Sequence, residues 1–146
     1  MKRVLLFVML TIAVPVLAAD NWVGTWKLNL AKSKYSPGPA PKSQTTKLEA
    51  AAGGVKEIGD RVNTDGSTTH WEVTAKFDGK EYPVKGDPDG DVAIIKKVDN
   101  NTLEVTNKKA GKVTTSMRIV VAPDGKSRTN VVTSDRVSNT LFFDRQ

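Results

Sequence analysis

The chain has 146 residues, of which 38% are hydrophobic and 26% are charged, and its formal net charge at pH 7 is +6. This length suits one globular domain, since a domain commonly has about 100–200 residues. The absence of cysteine excludes a disulfide scaffold, a thiolate nucleophile and a zinc site with cysteine ligands.

Residues 1–18 have the features of a secretory signal peptide. Met1-Lys2-Arg3 is basic, the following run VLLFVMLTIAVPVLA carries no charge, and the run ends on Ala18. This run is shorter than the ~20 residues that cross a bilayer. We therefore expect cleavage after Ala18, a secreted or periplasmic location, and no stable membrane anchor after cleavage. The mature protein would be a single domain over residues 19–146, with a net charge of +4 once Lys2 and Arg3 are removed.

The rest of the chain alternates apolar and polar residues with a period of two, as half-buried β-strands do. The first such strand places one set of side chains on a single face: Trp22, Gly24, Trp26, Leu28 and Leu30. A second strand has Trp71, Val73, Ala75 and Phe77 on one face, and a third has Leu103 and Val105. No stretch shows sustained helical spacing, so long amphipathic helices are not expected.

Turn signals separate these strands at regular intervals: Gly53-Gly54, Asp65-Gly66, Asp78-Gly79, Asp89-Gly90, Asn100-Asn101, Ala110-Gly111 and Asp124-Gly125. Asp-Gly favours two-residue hairpins, because both central residues need positive φ. The pattern predicts an all-β fold, an antiparallel up-and-down β-barrel of about eight to ten strands, because closure removes the exposed edges of a long meander. A β-sandwich is the alternative. The irregular segment Ala31–Ser43 contains Pro37, Pro39 and Pro41 and is expected on the surface or over a barrel mouth.

Three short stretches carry a resemblance to known proteins. Gly24-Thr25-Trp26-Lys27-Leu28 resembles the Gly-x-Trp entry strand of the calycins, which include the lipocalins and the fatty-acid-binding proteins. GKVTTSMR at 111–118 and TLFFDR at 140–145 are similar to the late hairpin and the closing strand of fatty-acid-binding proteins. The chain is also similar to exported bacterial proteins with a GTWKLN start. The resemblance implies a barrel with a tryptophan at its closed end and an interior that carries a small molecule.

The sequence departs from fatty-acid-binding proteins at the residues that hold the ligand carboxylate. Leu141 and Phe143 stand where that family has an Arg-x-Tyr pair. Arg118 matches another carboxylate ligand of the family, but its strand alternates so that Met117 and Ile119 share the more apolar face. Arg118 is therefore expected to point outward. This arrangement favours a neutral apolar ligand over a fatty acid.

The sequence nominates no catalytic constellation and no transition-metal site. His70 is the single histidine, no Gly-x-Ser-x-Gly motif is present, and a strand position at a sheet surface accounts for His70. Asp87-Pro88-Asp89-Gly90-Asp91 has carboxylates at alternate positions, which suits either calcium or a solvated hairpin, and the sequence leaves this choice open. The lysines are spread along the strands rather than clustered, so nucleic acid is not an expected partner.

The function predicted is that of an exported, non-enzymatic carrier of a small apolar or weakly polar ligand, without a cofactor. Barrels of this size either fill their interior or hold one small ligand. The candidate ligand-binding residues are mainly aromatic: Trp26, Trp71, Phe77, Tyr82, Arg118 and Phe143. The alternative is a structural or interaction protein of the cell envelope with a packed barrel interior. A void of ~300 Å³ or more inside the barrel would distinguish the carrier from the packed barrel.

Overall fold

The structure, a computed structural model, describes residues 20–146. The predicted signal peptide at 1–18 lies outside the described residues. The described chain forms one short 3-10 helix (Leu30–Lys32) and ten strands: β1 Gly24–Leu28, β2 Ser43–Ala51, β3 Gly54–Val62, β4 Thr68–Lys76, β5 Tyr82–Lys85, β6 Val92–Lys97, β7 Thr102–Lys109, β8 Lys112–Val121, β9 Ser127–Thr133 and β10 Ser138–Arg145. Within residues 20–146 no helix is both long and apolar enough to span a membrane.

The ten strands form one closed barrel in which every strand is antiparallel to its two neighbours. Consecutive strands pair in chain order, and β1 closes the ring between β2 and β10. At the closure, Trp26 lies opposite Thr46 on one side and Arg145 on the other. The predicted all-β up-and-down barrel is confirmed, and the sandwich alternative is excluded.

The predicted alternation of apolar and polar residues identifies the buried face correctly in β4 and β7, where the pattern is strongest. Val73 and Ala75 of β4 and Leu103 and Val105 of β7 are buried inside the barrel. Leu30 is an exception, because β1 ends at Leu28 and Leu30 starts the 3-10 helix, where it is exposed. The Asn29 side chain ends the strand by accepting a hydrogen bond from the Lys32 backbone N–H at 3.2 Å.

The Asp-Gly turns are positioned as predicted, but their type differs. Asp65, Asp78 and Asp124 lie in five-residue connections, at 63–67, 77–81 and 122–126, rather than in two-residue hairpins. Each aspartate accepts a hydrogen bond from the backbone N–H two residues later, at 2.9, 3.1 and 2.9 Å respectively. This side-chain turn is a local alternative to the two-residue hairpin and explains the preference for aspartate. Two-residue connections occur instead at Ala52-Gly53 and Ala110-Gly111.

One end of the barrel is filled by large side chains, and we call it the filled end: Trp22, Trp26, Arg128, Phe143 and Arg145. The Trp26 indole N–H donates to the Trp22 carbonyl at 3.0 Å. The Trp22 ring meets the Phe77 ring edge-on, with centroids 5.8 Å apart. The part of the interior that these side chains do not fill therefore lies toward the opposite end of the barrel.

The proline-rich segment runs beside β10 and then reaches the interior. Lys34 and Thr140 exchange two backbone hydrogen bonds, of 2.8 and 2.9 Å, which extend the sheet by one bridge. Beyond the bridge, Tyr35 and Pro41 contribute to the walls of the interior cavity. The segment is mostly exposed on the surface, which is one of its two predicted placements.

Candidate functional site

A cavity of about 270 Å³ lies inside the barrel. This volume is slightly below the ~300 Å³ given above as the criterion for a carrier, which is also the lower bound of small-molecule sites. Much of its wall is apolar and comes from inward-facing side chains, mainly of strands β4 to β10: Val73, Val84, Ala93, Ile95, Val105, Met117, Val132 and Leu141. The remaining wall is polar and includes Gln44, Glu57, Arg61, Asn107, Thr115 and Asn130. The arrangement therefore offers an apolar volume with a small number of polar groups.

Trp71 forms part of the cavity wall because Gly59 leaves room for its ring. The two residues lie opposite each other on β4 and β3. A Cβ at position 59 would approach the Trp71 ring to 2.0 Å. The indole N–H of Trp71 donates to Glu57 Oε1 at 3.1 Å, and the Arg61 guanidinium lies 5.8 Å from the ring centroid. Alternate residues of β3, namely Glu57, Gly59 and Arg61, thus organise this side of the cavity.

Glu57 is a carboxyl group buried in the cavity wall. Burial raises its pKa, and the positive charge of Arg128 and the hydrogen bond from Trp71 offset that effect only in part. Within residues 20–146, Trp71 is the only side chain that donates a hydrogen bond to this carboxyl group. Glu57 is therefore an acceptor inside an enclosed volume, with remaining capacity for another donor.

Arg128 is buried on β9 at the filled end, 2% exposed. Its Nη2 donates to Thr46 Oγ1, and its guanidinium lies 4.6 Å from the Phe143 ring centroid and 5.2 Å from that of Trp26. Within the described chain, Nε and Nη1 have no hydrogen-bond partner. Burial lowers the pKa of Arg128 to about 10, so the side chain is protonated at neutral pH and its positive charge attracts Glu57.

Two further polar atoms in the cavity wall are buried without a hydrogen-bond partner in the described chain: Asn130 Oδ1 and the Tyr35 hydroxyl. Asn130 uses its amide nitrogen to donate to Met117 Sδ at 3.4 Å, which leaves the oxygen available. Burial raises the pKa of Tyr35 to about 12, although the charge of Arg61 opposes this shift, so the phenol stays protonated. Unpaired buried polar atoms are uncommon in proteins, and a ligand is one established explanation for them.

Of the six residues predicted to bind ligand, Trp71 lines the cavity. Trp26 and Phe143 do not, because they are fully buried at the filled end, where their rings pack against Arg128. An aromatic ring next to a desolvated guanidinium gains a cation–π interaction that an empty cavity does not offer. The structure therefore assigns these two residues to the core rather than to the cavity wall.

The other three predicted residues also lie outside the cavity wall. Phe77 follows β4 and packs against Trp22. The Tyr82 hydroxyl donates to Asp78 Oδ2 at 2.7 Å, which turns it toward the β4–β5 connection. Arg118 is exposed on the outer face of the barrel and pairs with Glu104 of the neighbouring strand, so its predicted outward orientation is confirmed.

The acidic loop Asp87-Pro88-Asp89-Gly90-Asp91 uses carboxylates to order the backbone. Asp87 Oδ1 accepts from the Asp89 N–H at 2.9 Å, and Asp91 Oδ2 accepts from the Ala110 N–H at 2.9 Å. Within residues 20–146 there is no group of three or more histidine, aspartate or glutamate side chains arranged to hold a metal ion. His70 lies on the outside of β4 and is exposed, with Asp60 and Glu72 as its partners.

Sequence reasoning did not identify Glu57, Arg128 or Asn130 as interior residues. In β9 the inward set Arg128, Asn130 and Val132 is no more apolar than the outward set Thr129, Val131 and Thr133. In β3, alternation from the buried Val55 does place Glu57 inward, and this is the signal that could have found it. Interior polar residues weaken the apolar pattern that identifies an inner face.

Comparisons with known proteins agree with this geometry at the level of the fold. No protein-family model matches the sequence, and no curated protein matches it. Among solved structures, the chain is similar to a Schistosoma mansoni fatty acid binding protein in complex with arachidonic acid, with a TM-score of 0.61 and 15% identity over 87% of this chain and 97% of the other. It is also similar to a point mutant of the fatty acid transporter REP1-NXSQ, with a TM-score of 0.59 and 16% identity over 88% and 100% of the two chains.

A third similar structure is the wild-type fluorescent protein UnaG, with a TM-score of 0.54 and 16% identity over 87% of this chain and 98% of the other. All three similarities span nearly the whole described barrel, while the identities are low. They therefore bear on the architecture rather than on individual site residues. The chain has a closed ten-strand up-and-down β-barrel fold that is similar to the folds of these three proteins.

Proposed function

We propose that this protein is a non-enzymatic binding protein that holds one small, mainly apolar molecule inside the barrel. The observation that carries the proposal is the cavity of about 270 Å³, with its apolar wall and its few buried polar groups. Enclosed apolar volumes with a few convergent polar groups are the usual form of small-molecule sites. The names of two similar structures refer to fatty acid binding or transport, which supports a ligand of lipid-like character.

The cavity is also the reason to prefer a carrier over a structural protein with a packed interior. Core side chains pack closely in folded proteins, and voids much larger than a water molecule are few. The filled end shows that this chain does pack large side chains where it needs a solid core. Leaving the neighbouring interior open costs stability, which a binding function would explain.

We further propose that the protein acts outside the cytoplasm, after removal of residues 1–18. The support is the basic Met1-Lys2-Arg3, the uncharged run after it and the small residue Ala18. Expression in a bacterial host with an intact export pathway, followed by intact-mass measurement, tests this proposal. A mature chain that starts at Ala19 is expected, whereas a membrane-bound product that keeps Met1 would contradict export.

The binding function can be tested with Nile red, an uncharged apolar dye whose fluorescence increases in apolar surroundings. Titration of the mature protein should give saturable binding of one dye per chain. Val84 lines the cavity from β5 and is only half-buried, so Val84→Trp should fill the cavity with limited damage to the core. We expect this variant to bind the dye at least tenfold more weakly, because the ring occupies the volume that the dye needs.

Val113→Trp is the matched control, since Val113 is 58% exposed on β8 and lies away from the cavity. This variant should bind the dye like the unmodified protein, and thermal unfolding should show that both variants are folded. Equal loss of binding in both variants would locate the dye on the outer surface. Absence of saturable binding to the unmodified protein would contradict the proposed function and favour a structural role.

A further inference from the structure

The chemistry of the cavity specifies the polar end of its ligand. Glu57 and Asn130 both line the cavity, from strands that are four positions apart around the ring. Both residues are more than nine-tenths buried: Glu57 is 9% exposed and Asn130 is 3% exposed. Each presents an oxygen with unused acceptor capacity: the Glu57 carboxylate, which accepts from Trp71, and Asn130 Oδ1, which has no partner in the described chain. Two buried acceptors call for a donor on the ligand, and the unpaired Tyr35 hydroxyl of the same wall calls for a group that can also accept.

The charges around the cavity argue against an anionic ligand. The wall contains the acidic residues Glu57, Asp87 and Asp89 and one basic residue, Arg61. The buried Arg128 adds one positive charge, which attracts Glu57 and repels Arg145. A ligand carboxylate would bring a further negative charge close to Glu57, and Arg128, although its Nε and Nη1 are unpaired, is not part of the cavity wall that a ligand contacts. Burial of a charge without its own partner is strongly unfavourable.

A cationic ligand is also disfavoured. An ammonium group would lose its hydration on entering the cavity. The acidic residues of the wall outnumber Arg61 and would attract it, so its disadvantage relative to a hydroxyl group is the larger loss of hydration. A hydroxyl group avoids the costs of both charged groups, because it is neutral and donates one hydrogen bond while it accepts others.

We propose that the ligand is a neutral, hydroxyl-bearing apolar molecule whose O–H group donates to the Glu57 carboxylate or to Asn130 Oδ1. The proposal rests on the binding function proposed above and adds the chemical class of the ligand. It assigns the acceptor role to two residues of this chain, on β3 and β9, and it separates a lipid alcohol from a lipid acid. The apolar wall formed by β4 to β7 then contacts the hydrocarbon part of the molecule.

Displacement of Nile red by four ten-carbon competitors tests the proposal: decanol, decanoic acid, decylamine and methyl nonyl ether. The ether has nearly the same shape as the alcohol and accepts hydrogen bonds but donates none. Decanol should displace the dye at a concentration at least about tenfold lower than the ether, since a buried acceptor left without a donor has a cost of that order. An apolar cavity without acceptors would give the opposite order, because a buried hydroxyl then pays for its lost hydration.

Two variants test whether Glu57 and Asn130 cause the preference for decanol over the ether. Glu57→Gln keeps an oxygen that can accept from Trp71 but removes the charge, so the advantage of decanol over the ether should fall at least about threefold. Asn130→Val removes the second acceptor and keeps a similar side-chain volume. This variant also tests the proposal if Glu57→Gln does not fold. Glu104→Gln, the same change at an exposed position on β7, is the matched control and should leave the ratio unchanged.

The outcomes separate this inference from the proposed function. Decanol that binds no better than its ether, or a tighter decanoic acid or decylamine, would overturn the inference while dye binding still supports the carrier function. Tighter decanoic acid whose advantage is lost in Arg61→Gln would assign the ligand class to carboxylates instead. Lack of any dye binding would overturn the carrier function itself, and the ligand class with it.

Discussion

The guanidinium of Arg145 lies 4.3 Å from the Trp26 ring centroid, and Gly24 leaves the space that it occupies. A Cβ at position 24 would approach Arg145 Nη1 to 2.3 Å. The same guanidinium donates to the carbonyls of Asn21 and Val23, at 2.5 and 2.7 Å. Arg145 on the last strand therefore fixes the residues that lead into the first strand. This contact explains why glycine and tryptophan are needed two residues apart at the barrel closure.

Gly24→Ala should destabilise the protein through this contact. Gly24 has φ of +146°, and alanine there would both strain the backbone and displace Arg145 from Trp26 and Val23. We expect a loss of roughly 2–4 kcal/mol in the free energy of unfolding, measured by denaturant titration. Gly53→Ala is the control, since Gly53 also has positive φ but has open space around it. It should cost only about 1–2 kcal/mol, and an equal cost for both variants would refute the role of Arg145.

Trp26→Ala should unfold the domain or lower its denaturation midpoint sharply. Trp26 is fully buried, and its ring contacts two guanidinium groups while its N–H donates to Trp22. Loss of a buried tryptophan typically costs ~3–5 kcal/mol. Leu30→Ala removes an exposed apolar residue of the adjacent 3-10 helix and should change stability by less than about 0.5 kcal/mol. A Trp26→Ala midpoint equal to that of Leu30→Ala would contradict this role.

The barrel could be predicted from the sequence because its signals are local. Alternation in the segments around Trp26, Trp71 and Leu103 states which face is buried, and short connections force neighbouring strands to pair. The turn type was harder to predict, since Asp-Gly favours both a two-residue hairpin and an aspartate-capped loop. Asp65 and Asp124 take the second form. The choice between them depends on strand lengths set by the whole barrel.

The site was less predictable, because it depends on which side chains meet across the barrel. Of the aromatic residues predicted to bind ligand, Trp26 and Phe143 fill the core while Trp71 lines the cavity. This distinction follows from the position of Arg128, which occupies the space between strands far apart in sequence. Nothing local in the sequence around Arg128 states that a charged side chain turns inward there. A polar interior therefore needs three-dimensional information to be recognised.

His70 should make stability depend on pH near neutrality. Its Nδ1 and Nε2 lie 2.7 Å and 3.3 Å from carboxylate oxygens of Asp60 and Glu72, and these hydrogen bonds raise its pKa above the ordinary value of 6.5. Because the folded state holds the proton more tightly, the contribution is fully present below the unfolded pKa and is lost as pH rises through the folded pKa.

Thermal unfolding at several pH values between about 6 and 9 measures this effect. The unfolding temperature of the unmodified protein should fall across this interval by more than that of His70→Gln. Thr74→Gln, another exposed position on β4, is the control and should retain the full pH dependence. Curves of identical slope for the unmodified protein and His70→Gln would show that the two carboxylates do not act on the histidine.

Glu57 and Arg128 are both buried and interact electrostatically, but they form no direct ion pair. Each lowers the electrostatic cost of the other, since burial raises the pKa of Glu57 and lowers that of Arg128 while their mutual attraction opposes both shifts. Glu57→Gln leaves Arg128 buried without its opposite charge, and Arg128→Met does the same to Glu57. Both single variants should be destabilised by roughly 2–4 kcal/mol at neutral pH.

In the double variant neither charge remains, so its loss of stability should be smaller than the sum of the two single losses. We expect a coupling energy of about 1–3 kcal/mol from the four unfolding free energies. The exposed pair Glu104 and Arg118 provides the control cycle, with the same Glu→Gln and Arg→Met changes. Solvent screens that pair, so its coupling should be only about 0.2–1 kcal/mol although the two side chains touch. A coupling at Glu57 and Arg128 no larger than that of the exposed pair would mean that Arg128 does not supply the charge balance of the cavity.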